Sequence, residues 1–143
     1  MRDKAGQANE LSTGSDATAT VRGVSVLLGS TDPDRLSRFY RAVFDLDEPR
    51  EGWVRIGEVD VLFDRRTDVA ANNPEPGRFV LTVDTADARA VVARLERLGV
   101  RWVSPLERRP DGLFAAFEDP DGNLAQVIEL DADYFARRAS FHP

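Results

Sequence analysis

The stretch Val24-Ser25-Val26-Leu27-Leu28-Gly29-Ser30-Thr31-Asp32-Pro33-Asp34-Arg35-Leu36-Ser37-Arg38-Phe39-Tyr40-Arg41-Ala42-Val43 decides the fold, because a later stretch repeats its grammar. Val24 to Leu28 reads as a buried strand: β-branched and apolar residues in a short run. Asp32-Pro33-Asp34 then opens a helix, with a carboxylate to cap free N–H groups and a proline where no N–H is missed. Leu36, Phe39, Tyr40 and Val43 recur at helical spacing and make one apolar face. Further on, Phe79-Val80-Leu81-Thr82-Val83 reads as a strand, and Thr85 or Asp87 can cap a helix whose apolar side is Val91, Val92, Leu95 and Leu98. Gly99 stands where a helix-ending glycine belongs.

Each strand–helix unit is followed by more strands. Trp53 to Ile56 and Val59 to Phe63 flank Gly57-Glu58, a pair suited to a tight hairpin. In the second unit, Val100 to Val103 is a strand ended by Pro105, and Leu113 to Phe117 pairs with Leu124 to Leu130 across Asp119-Pro120-Asp121-Gly122-Asn123. Asp131 to Arg138 suits a short final helix. The repeat offset is about 53 residues, which sets Ser25 opposite Arg78 and Asp32 opposite Thr85. The expected organisation is a tail over 1–20 without apolar period, then one domain over 21–138. That domain comprises a first module at about 21–64, a linker at 65–77 around Pro74, and a second module at about 78–130. Neither half has strands enough to stand alone, so the two should pack together.

Composition narrows the chemistry. The formal net charge is -6, which argues against nucleic acid. No run of eighteen apolar residues spans a membrane, and the first residues lack a secretory pattern, so a cytoplasmic protein is expected. With no cysteine there is no thiolate nucleophile and no sulfur ligand. The one histidine is His142, near the end, and the one lysine is Lys4, in the tail. The remaining positive charge is arginine, which holds anions well and shuttles protons poorly.

Phe39-Tyr40-Arg41-Ala42-Val43-Phe44-Asp45-Leu46, Leu95-Glu96-Arg97-Leu98-Gly99-Val100 and Asp119-Pro120-Asp121-Gly122-Asn123, in this order within a duplicated plan, resemble the glyoxalase / bleomycin-resistance / extradiol-dioxygenase (vicinal oxygen chelate) superfamily. The resemblance implies an α+β fold: two βαβββ modules forming a curled mixed sheet around a cleft, with helices outside. It also implies assembly as a homodimer. Metal-dependent relatives hold a metal through the first and last strand of each module, and by position those places are Ser25, Val61, Arg78 and Gln126. Valine cannot ligate and a permanent guanidinium repels a cation, so no metal and no cofactor are expected. Asp60, Asp64 and Glu129 lie on the opposite strand parity, and a register one residue away would change that.

The candidate ligand-binding residues are Ser25, Trp53, Arg78, Thr82, Trp102 and Gln126. Trp53 and Trp102 are read either as stacking platforms or as core. Arg78 is either an anion anchor in the cleft or a surface ion pair. Ser25, Thr82 and Gln126 are either hydrogen-bonding groups in an apolar wall or groups satisfied within the fold. Asp119 and Asp121 read as turn residues: a calcium loop would need glycine at 124 and glutamate at 130, where the chain has Leu124 and Leu130. No catalytic residue is assigned. The expected function is metal-independent binding of a small molecule, in the manner of drug-sequestering resistance proteins, with a metal-dependent lyase, isomerase or dioxygenase of the same superfamily as the alternative.

Overall fold

The computed structural model describes residues 20–141, so the expectations for the tail, Lys4 and His142 lie outside the described residues. Strand β1 (Ser25–Ser30) leads into helix α1 (Pro33–Phe44), then β2 (Trp53–Ile56) and β3 (Val59–Arg65). After the linker come β4 (Leu81–Asp84), helix α2 (Ala88–Arg97), β5 (Arg101–Arg109), β6 (Gly112–Glu118), β7 (Leu124–Leu130) and helix α3 (Ala132–Phe141). The strands make two mixed sheets, ordered β1-β3-β2 and β4-β7-β6-β5. In each, the first strand runs parallel to the module's last strand and the others are antiparallel. The fold is therefore α+β and duplicated, and neither sheet closes. Among the described residues, no helix is long and apolar enough to cross a membrane.

The duplication is visible in the junctions. Asp32 caps α1 by accepting from the Arg35 N–H at 3.3 Å, and Asp87 caps α2 by accepting from the Ala90 N–H at 3.1 Å. Two residues before each cap a hydroxyl braces it: Ser30 Oγ accepts from the Asp32 N–H, and Thr85 Oγ1 from the Asp87 N–H. The repeat is thus 55 residues, from Asp32 to Asp87, and not about 53. Asp87 is the cap and Thr85 its support, so Asp32 lies opposite Asp87. Ser25 lies opposite Val80, and Arg78 falls two residues upstream of that match.

The first module is one strand short of βαβββ. Where the second has the nine-residue β5, the first has Leu46 to Arg50 and a single bridge, Arg50 to Trp53. Glu51 and Gly52, both at positive φ, form the two-residue turn between them. Two other strands depart from expectation. β4 begins at Leu81, leaving Phe79 outside and 56% exposed. β5 continues through Pro105 to Arg109, because it is an edge strand whose register shifts on both sides of Ser104 let the proline forgo a ladder bond.

Helices α1 and α2 cover one side of the sheets. Leu36, Tyr40 and Val43 of α1 pack with Val91 and Leu95 of α2, and with Ala115, Phe117, Ala125 and Val127 of β6 and β7. Val54, Ile56 and Val61 form a second cluster, and Leu28, Phe63 and Leu81 pack against both, so the modules share one continuous interior. The side of each sheet turned away from α1 and α2 is its open face.

Candidate functional site

Register decides which side chains reach the open faces. Val61, with no exposed surface, is core. Its neighbour Asp60 pairs in register with Ser25 on β1 and with Arg55 on β2. In-register partners point to the same side, so Ser25, Asp60 and Arg55 form one row across the open face. The next row is Leu27, Leu62 and Trp53. Val61 therefore does not face the open side, whereas Asp60, Leu62 and Asp64 share the opposite parity. Glu129 keeps the expected parity, turned away from Gln126, and its carboxylate accepts from the Ala88 N–H at 2.9 Å, reinforcing the start of α2.

On the second sheet the corresponding row is Thr82, Gln126, Ala116 and Ser104. Thr82 Oγ1 donates to Gln126 Oε1 at 3.1 Å. The 55-residue repeat maps Thr82 onto Leu27, and the strand pairing maps Gln126 onto Leu62. Two polar positions in one module are thus apolar in the other.

The six candidates do not converge. Ser25 and Trp53 lie together in a cavity of about 570 Å³, with Asp47, Glu48, Arg50, Arg55 and Asp60. Thr82 and Gln126 face out from the other sheet. Trp102 pairs with Phe117 and meets its ring edge-on, centroids 6.3 Å apart, so it joins the interior and not the cleft. Arg78 is not in a strand: its N–H bonds to the Glu75 carbonyl, its Nε donates to Glu75 Oε1 at 2.8 Å, and its side chain is 78% exposed. The surface ion-pair reading of Arg78 is the one the geometry has, and such a pair holds little energy.

Sequence reasoning overlooked the residues 46–50. They carry weak strand signals, and the turn at Glu51-Gly52 folds them back beside β2, which brings Asp47, Glu48 and Arg50 to the cavity. Arg41 on α1 ties this segment down by donating to Glu48 at 3.1 Å.

A second polar cluster lies between the modules. Asp119 is 5% exposed and accepts four hydrogen bonds: from the N–H groups of Asp121 and Asn123, from Asn123 Nδ2, and from the Tyr40 hydroxyl at 2.7 Å. Arg35 reaches Asp121 at 3.0 Å, and Asn73 Nδ2 donates to Asn123. The carboxylates at 119 and 121 are turn groups, as their sequence setting predicts, and they also tether the hairpin to α1, which that setting does not predict. Burial pushes the Asp119 carboxyl above its ordinary range, against the pull of its hydrogen bonds from Tyr40, Asn123 and Asp121.

Burial, joined by the negative charge of Asp119, holds the Tyr40 hydroxyl well above 10.0. The folded chain keeps this proton at pH values where the unfolded chain gives it up. The linked stability is therefore present in full below pH 10.0 and lost as pH rises beyond it. In a Tyr134→Phe protein, which leaves Tyr40 as the sole tyrosine, tyrosinate absorbance should appear only as circular dichroism reports unfolding. A reversible tyrosinate signal from intact fold would contradict this assignment.

The family model described as the Glyoxalase/Bleomycin resistance protein/Dioxygenase superfamily matches residues 24–127. No curated protein matches the chain. Among solved structures, a glyoxylase/bleomycin resistance protein/dioxygenase domain from Frankia sp. EAN1pec is 18% identical with a TM-score of 0.62, over 83% of this chain and 99% of that one. An antibiotic binding protein from Streptomyces sp. CB03234 is 24% identical with a TM-score of 0.58, over 80% and 99%. The genomically encoded fosfomycin resistance protein of Listeria monocytogenes is 15% identical with a TM-score of 0.62, over 83% and 99%. These superpositions show a shared fold.

Proposed function

Because the chain belongs to the glyoxalase/bleomycin resistance protein/dioxygenase superfamily, we propose that it binds a small organic molecule on the open face of its sheets, without a metal. The observation that supports this most directly is the row Leu27–Leu62–Trp53. It puts two aliphatic side chains and an indole where the second module has Thr82 and Gln126. A divalent ion needs several oxygen or nitrogen donors converging on one point. Here the open-face donors are Ser25 and Asp60 on one sheet and Thr82 and Gln126 on the other. Asp60 is engaged by Arg55 at 3.4 Å, and Thr82 and Gln126 engage each other. That donor set does not fit a metal ion. Among the described residues, no group of three or more His, Cys, Asp or Glu side chains is placed to hold one.

The arrangement does fit a binding protein. Its cavity volume lies in the range of small-molecule sites, and it joins an aromatic wall to a few polar groups. The Streptomyces neighbour is described as an antibiotic binding protein, and binding of an antibiotic is the biological setting that suits such a site.

A thermal-shift screen across antibiotics and planar aromatics, with and without divalent metals, tests the reading. A ligand at about 100 times its dissociation constant stabilises by roughly 2.7 kcal/mol. The expected result is stabilisation by an organic compound that metals neither cause nor enhance. Strong stabilisation by Mn(II) or Zn(II) alone would instead support a metal-dependent enzyme.

A further inference from the structure

The cavity beside Trp53 has a charge pattern that names its ligand more closely than the fold does. Its seven lining residues include three carboxylates, Asp47, Glu48 and Asp60, and two guanidiniums, Arg50 and Arg55. Arg55 is already committed, donating to the Gly57 carbonyl at 3.2 Å and to Asp60. Asp47 is exposed and has no ion-pair partner among the described residues. The surrounding chain adds to this bias. From Asp45 to Asp60 it carries six carboxylates against Arg50 and Arg55, and Arg41, paired to Glu48, leaves that balance still negative. The recess itself is only slightly acidic, three carboxylates to two guanidiniums, but it lies in a net negative stretch of chain, and such a field raises the local concentration of cations.

The wall supplies the second element. Trp53 is partly buried, and Leu27, 55% exposed, lies two strands away in the same row. An indole face attracts cations through its quadrupole and flat rings through stacking. The second tryptophan does not share this role, because Trp102 sits on the interior side.

Building on the small-molecule reading, we infer that this recess takes a planar aromatic cation, with its ring on Trp53 and its positive group toward Asp47. The segment 46–50 is the specificity element. It stands where the second module has a full strand, and it brings Asp47 and Glu48 to the recess.

The test uses two probes of similar size, a diaminoacridinium cation and an anilinonaphthalene sulfonate, titrated into the full chain with tryptophan fluorescence as readout. The cation should quench the intact protein and the Trp102→Phe variant, and leave the residual emission of Trp53→Phe unchanged. Followed by the anisotropy of the acridinium's own emission, which does not depend on the indole, Trp53→Ala should weaken binding of the cation about tenfold. Asp47→Asn, at an exposed position that leaves the fold alone, should weaken it several-fold, and added salt should weaken it further. If the sulfonate quenches Trp53 more tightly than the cation does, the charge assignment is overturned while small-molecule binding stands. If the cation binds but is lost in Gln126→Ala and not in Trp53→Ala, the location is overturned. If neither probe binds, this inference fails, and the antibiotic screen judges the broader reading separately.

Discussion

Replacing Asp119 with alanine is expected to destabilise the protein by about 3 to 5 kcal/mol, the largest effect of any single polar substitution in the fold. The reason is the number of donors it would strand. Two backbone N–H groups, the Asn123 amide and the Tyr40 hydroxyl all converge on this carboxylate. Alanine removes every acceptor and leaves the tyrosine hydroxyl buried, with Tyr40 only 1% exposed. Tyr40→Phe removes one donor and should cost about 1 to 2 kcal/mol. In the double variant the two losses should fall short of their sum, because the tyrosine no longer has a hydroxyl to strand. Urea unfolding of the four proteins measures the coupling. A loss below about 1 kcal/mol for Asp119→Ala would mean the tether is ornamental.

The second large effect tests register. Val61→Asp places a carboxylate among Val54, Val26 and Phe63 with no partner, and should cost about 4 kcal/mol or more. Asp60→Val, one residue away, should change stability by less than about 1 kcal/mol, since it removes only a half-exposed pair with Arg55. Because strand side chains alternate, a one-residue slip would exchange these outcomes. Equilibrium unfolding of both variants therefore checks the placement of Asp60 on the open face, and with it the identity of the recess.

The sequence carried much of this, and where it misled the reason is physical. β3 reads Val59-Asp60-Val61-Leu62-Phe63-Asp64. Its alternation alone puts Val59, Val61 and Phe63 inside. Placing Val61 on the ligand face came from carrying over a family position, against the pattern of the residues themselves. The repeat offset was also legible, because Ser30-x-Asp32 and Thr85-x-Asp87 are the same brace and cap. Aligning on the strands instead shifted Arg78 into a place it does not hold. The helices, the Gly57 and Asp119–Asn123 hairpins and the succession of strands along the chain are legible from local chemistry. What local chemistry cannot give is a partner far along the chain. Nothing near Tyr40 announces Asp119, and nothing in residues 46–50 announces that they line a cavity with Ser25.

The tether between α1 and the late hairpin also has a consequence in time. Tyr40 and Asp119 are 79 residues apart, and Arg35 and Asp121 are 86. At a synthesis rate of about 5–20 residues per second, the helix leaves the ribosome roughly 4 to 16 seconds before the group that locks it. During that interval its apolar stripe has neither Phe117 nor Val127 to cover it. The first module, though made first, completes its packing only when the second arrives. The growing chain therefore passes through a window in which chaperone capture or aggregation competes with folding, and a stop ahead of Asp119 leaves that window open.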